Sequence, residues 1–126
     1  MKYIALAASL FASPVVAQDF VAATYAAHIS ADDLTNSSGA RLGDAASVIR
    51  QDRANYHRFG LADGEDSNDP LFGSADARAN IPAMIRAAGG IAPDVAEWIM
   101  RGNVTVYINI LSDGDDFTGL QVLMAG

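Results

Sequence analysis

Arg50, Asp52, Arg53 and His57 fall within one short run of the chain, and their types are those that hold anions or move protons. A helix over 45–57, capped by Asp44 and ended near Gly60, sets Ala45, Val48, Ile49, Tyr56 and Phe59 on one apolar arc at ~100° per residue, with Asp52 near its centre. A carboxylate there must be paired, hydrogen-bonded or neutralised, because an uncompensated buried charge is strongly destabilising. Two roles suit it. As a tuned acid or base beside His57 it would make the chain a small periplasmic hydrolase. As a structural buried carboxylate it would accept backbone N–H groups from the 30–42 loop, or pair with an arginine such as Arg41 or Arg78. The structural role is favoured, since ion-pair networks perturb carboxylates as readily as active sites do.

Arg50, Arg53 and His57 follow i, i+3, i+7 spacing and flank the same arc. A small anion could meet two guanidinium forks and an imidazole there. The competing reading is a solvated helix edge whose arginines pair with the chain's many carboxylates. A second cluster, Asp63, Glu65, Asp66, Asn68 and Asp69, offers the oxygen ligands that Ca²⁺ prefers. Its register is not that of an EF-hand, so calcium is the alternative reading and the absence of any cofactor the main one. Asp113, Asp115 and Asp116 mark a hairpin tip, where acidic residues commonly serve solvation and edge protection.

Other chemistries find little support. Cysteine is absent and the two histidines, His28 and His57, are far apart, which disfavours a structural zinc site and excludes a disulfide. No Gly-x-Ser-x-Gly elbow, His-Glu-x-x-His pair or phosphate-cradling glycine loop occurs. The adjacent Asp32 and Asp33 point different ways in a loop and do not make a glycosidase pair. A binding or interaction module fits this inventory better than an enzyme.

Residues 1–17, MKYIALAASLFASPVVA, read as a signal peptide: Lys2 supplies the positive n-region, 3–11 the apolar stretch, and Val15 and Ala17 the small-residue cleavage site. That apolar run is shorter than the ~20 residues of a spanning helix, so no transmembrane anchor is expected after cleavage. Lys2 is the sole lysine, and the rest of the chain sets only arginines against fifteen Asp and Glu. Such an acidic surface repels polyanions and argues against nucleic acid as a partner. A small molecule or an envelope protein remains. The lysine-free, alanine-rich composition behind a short leader points to a bacterial periplasm or the extracellular space.

The remaining pattern must position these groups. Residues 19–29 alternate as a strand, with Val21, Ala23, Tyr25, Ala27 and Ile29 on one face. After the loop at 30–42, with a turn at 36–39, and the helix comes a polar loop at 61–73. A helix over 76–88 follows, broken near 80–81 by Pro82, and then a short helix over 94–101 turning Val95, Trp98 and Ile99 inward. Val104, Val106, Ile108 and Ile110 alternate along the strongest strand, and 120–125 returns as its hairpin partner. Residues 18–126 therefore read as a single α+β domain: a small antiparallel sheet of about three strands, the first strand plus the C-terminal hairpin, with two to three helices on one face.

Overall fold

A computed structural model describes residues 19–61 and 64–124; the leader read at 1–17 lies outside them. Three strands, β1 (Phe20–Ile29), β2 (Val104–Ser112) and β3 (Phe117–Met124), form one antiparallel sheet in the order β1-β2-β3. The alternation that forecast β2 sets its burial: Val106, Ile108 and Ile110 are fully enclosed, while Tyr107 on the other face is exposed. In β1 the inward set is Tyr25, Ala27 and Ile29. Val21 departs from that set and lies exposed, because a bulge between Val21 and Ala23 shifts the register against β2.

Four helices cover the inner face: α1 (Ala45–His57), α2 (Ala75–Ala79), α3 (Ile81–Ala87) and α4 (Pro93–Arg101). Asp44 caps α1 by accepting the Ser47 amide at 2.8 Å, and Gly60 takes the left-handed conformation just past its end, at φ 67. The α2–α3 break falls at Asn80, where Pro82 occupies the first turn of the new helix and needs no amide partner there. In α4 the expectation that Trp98 faces inward fails. Ile99 is buried and Val95 packs against the core, but Trp98 is 47% exposed beneath the Arg101 guanidinium, 5.0 Å from its ring centroid. Trp98 thus lies at the margin of the buried stripe, and the aliphatic Ile99 takes the interior.

Two connections carry what the helices do not. The segment 30–42 opens with a short 3-10 turn (Ala31–Leu34), closes a Thr35–Arg41 bridge and turns through Asn36–Gly39, where the Asn36 side chain accepts the amides of Ser38 and Ala40. The segment 64–72 lies along the outer edge of β1. There Ser67 Oγ accepts the Ala26 amide, its own amide donates to the Ala26 carbonyl, and Asp66 accepts the His28 amide at 2.7 Å. Phe72, at the end of this stretch, is a fully buried core residue.

Candidate functional site

Asp52 is buried, 1% exposed, as the helix phase requires, but its partner is neither Arg41 nor Arg78. Arg41 donates to the Met100 carbonyl and Arg78 to the Phe72 carbonyl. Asp52 Oδ2 instead accepts from its neighbour Arg53, whose Nε is 2.8 Å away. Nor does Asp52 tie down the 30–42 loop. Asn55 does so, donating to Asp33 Oδ1 at 2.7 Å and to the Asp32 carbonyl at 3.2 Å.

Arg53 is the surprise of this helix, since it is fully buried rather than on a solvated edge. It follows Ile49 by one turn, which places it at the margin of the buried arc, and the 64–72 segment closes over it. Nη1 donates to Asp69 Oδ2 and to the Ser67 carbonyl, each at 2.9 Å, and Nη2 lies 4.0 Å from Asp66 Oδ1. The guanidinium plane sits between the rings of Tyr25 and Tyr56, 4.2 and 4.5 Å from their centroids. Desolvation alone would lower its affinity for a proton, but Asp52, Tyr25 and Asp69 together raise it, so the cation is fixed.

The carboxylates around it divide. Burial pushes Asp52 well above the usual carboxylate range even though Arg53 lies beside it, and Asp33 and Asp66 add to the rise. Burial would raise Asp69 as well, but hydrogen bonds from His57, the Phe72 amide, Arg53 and the Leu71 amide outweigh it and hold Asp69 below its ordinary value. His57 Nε2 meets Asp69 Oδ2 at 2.6 Å. Asp52 and His57 thus serve different partners, and the Asp52–His57 pair on which a hydrolase would rest does not form.

The proposed calcium ligands are dispersed in the same way. Asp66 and Asp69 turn inward with their side chains almost wholly buried, Glu65 reaches toward Thr105 on the sheet, and Asn68 is exposed. Asp63 lies outside the described residues. Among the described residues no group of three or more His, Asp or Glu gathers around a point where a metal ion would sit.

Sequence reasoning missed two arrangements. In the first, His28 Nδ1, the Thr105 hydroxyl and Glu65 meet on the outer side of the sheet, with Nδ1 2.9 Å from Thr105 Oγ1 and 3.5 Å from Glu65 Oε1. A hydroxyl, an imidazole and a carboxylate suggest nucleophilic chemistry. However, hydroxyl and carboxylate address the same ring nitrogen, whereas a triad needs one on each. Only the β1–β2 register, which sets His28 opposite Thr105, reveals this cluster.

The second is a cleft of about 320 Å³ between α1, α2 and the 30–42 loop. Arg50 enters from α1 on the same face as Ala54, Arg58 from the C-cap just past its end, and Arg78 from α2. Among the described residues no Asp or Glu lines it. Arg50 has no ion-pair partner among the described residues, and Arg58 is engaged only with the face of Phe59, 4.9 Å from its centroid. Arg78 is 6% exposed, and one carbonyl is its hydrogen-bond partner. Arg50 therefore belongs to a site other than that of Arg53 and His57, and the three residues that share one helix edge in the sequence part company. A second cavity of about 420 Å³ continues from this cleft, sharing Asn36, Ser37, Gln51 and Phe59 with it. No protein-family model, curated protein or solved structure matches this chain.

Proposed function

We propose that this is an exported, non-catalytic binding protein whose ligand carries an anionic group, seated in the cleft formed by Arg50, Arg58 and Arg78. One observation carries the reading: in a chain of net charge −7, three arginines line a single cleft to which no Asp or Glu among the described residues contributes. One of them, Arg78, is nearly buried and has no counterion among the described residues. A buried cation without a fixed anion is destabilising unless something supplies the charge. Planar, multidentate donors of this kind match carboxylate and phosphate oxygens. Export rests on the leader-like composition of residues 1–17. A periplasmic or extracellular location brings small anions, rather than nucleic acid, within reach of such a cleft.

Thermal unfolding in phosphate, acetate and citrate at constant ionic strength tests the proposal. An anion present at ten times its dissociation constant stabilises the folded state by about 1.4 kcal/mol, which corresponds to a rise of several degrees for a domain of this size. Arg58→Gln should remove that rise while leaving the anion-free melting point near that of the wild type. Equal melting points in all anions and in chloride would refute the assignment.

A further inference from the structure

The cleft does not end at its arginines. Phe59, 41% exposed, lines both this cleft and the second cavity. The second cavity adds Leu61, Asn55, Thr35 and the exposed Asp32 to Asn36, Ser37 and Gln51, polar residues that it shares with the arginine cleft. Their hydrogen-bonding capacity is only partly used. Asn36 Oδ1 is occupied by two loop amides, which leaves its Nδ2 to donate. Gln51 donates through Nε2 to Asn55, which leaves its Oε1 to accept. The hydroxyls of Thr35 and Ser37 and the Asp32 carboxylate make no side-chain hydrogen bond among the described residues.

Resting on the anion-binding reading, we infer that the joined groove takes an anionic saccharide, its carboxylate or phosphate among Arg50, Arg58 and Arg78 and its hydroxyls on the Asp32–Ser37 side of Phe59. The chemistry of each half selects for this class. Hydroxyls are both donors and acceptors, so they match a lining that mixes amide donors, an amide acceptor, hydroxyls and a carboxylate better than a purely apolar or purely charged ligand does. A sugar ring presents a C–H face that packs on an exposed aromatic ring such as Phe59. Asp32 accepts from hydroxyls and repels the anionic group, which fixes the ligand's direction along the groove. An extended peptide fits less well, because no residue of β1, β2 or β3 lines either cavity and no strand edge is offered to a peptide backbone.

Calorimetric titration of the full protein with digalacturonic acid and with a hexose 6-phosphate separates the two sources of the anion. Acetate, inorganic phosphate, a neutral disaccharide and the dipeptide Ala-Glu are the comparison ligands. At least one acidic sugar should bind about tenfold more tightly than its bare anion and than the neutral disaccharide. Asp32→Ala should bring that sugar back toward the affinity of the bare anion while leaving inorganic phosphate binding unchanged, and Phe59→Ala should lower sugar affinity by a larger factor than phosphate affinity. Arg58→Gln should abolish both. Acidic sugars that bind no better than acetate or phosphate, a tighter complex with Ala-Glu, or sugar binding indifferent to Phe59→Ala would each overturn the saccharide assignment while the anion cleft stands. Failure of every anion to bind would overturn both.

Discussion

The arginines of one helix and its C-cap meet opposite fates in this molecule. Arg53 is enclosed, with carboxylates at its Nε and Nη1, a third 4.0 Å from Nη2, and a tyrosine ring on each side. Arg50, on the neighbouring face of α1, and Arg58, at its C-cap, have no carboxylate partner among the described residues and line an open cleft with Arg78. The same side chain is therefore structure where the fold supplies its counterions and a receptor where it does not. Compensation decides the role, and the abundance of acid in the chain does not.

The sharpest way to break this contrast is to remove Arg53. Arg53→Met leaves Asp52, Asp66 and Asp69 buried around a methylene chain, and the loss of one member of such a group is destabilising by about 3–5 kcal/mol. Arg58→Gln, an exposed change of similar chemistry, should stay within about 0.5 kcal/mol of the wild type. Urea unfolding of the two variants measures both, and equal midpoints would erase the distinction.

Acid and base test the carboxylates separately. Asp69 is held below its unfolded value, so its contribution is present above that value and is lost as pH falls through the folded one. Asp52 is raised, so its contribution is present below its unfolded value and is lost as pH rises through the folded one. Stability measured by urea melts should therefore decline on both flanks of an optimum, and Asp52→Asn should flatten only the upper flank. A variant profile parallel to that of the wild type would show that Asp52 titrates alike in both states.

The smallest effect is the most specific. Arg50 shares the cleft with two like charges, so Arg50→Gln should melt at or slightly above the wild type at low salt without a polyvalent anion, by no more than about 0.5 kcal/mol. In phosphate the order should reverse, because only the wild type gains from ligand binding. A ranking unchanged by phosphate would mean that Arg50 takes no part in the cleft.

The elements were legible because their signals are local. The period of two in 104–110 forecast β2 and its buried face, and Asp44 with Gly60 framed α1. Pro82 marked the break that became the α2–α3 boundary, and the first strand joined the hairpin as the width of the sheet required. The burial of Asp52 followed from helix phase alone. Its partner did not. Arg53 sits beside it in sequence, where adjacent helical side chains diverge by about 100°, and it is drawn into the interior as Asp66 and Asp69 fold over α1 from a segment read as a polar loop offering calcium ligands. The arginine cleft was hidden for a related reason. Arg78 reaches Arg50 and Arg58 through the packing of α2 on α1, and no spacing along the chain encodes that.

The segment 64–72 also bears on how the protein behaves in company. By pairing Ser67 and Asp66 with the backbone of Ala26 and His28, it occupies the hydrogen-bonding edge of β1 that another strand would otherwise find. An open edge is a template for intermolecular strand addition. The hydrogen bonds that hold the Asp69 carboxylate and the Ser67 carbonyl to Arg53 are thus also the latch on that edge. Conditions that release them, protonation of Asp69 foremost, turn a loss of stability into a route to self-association.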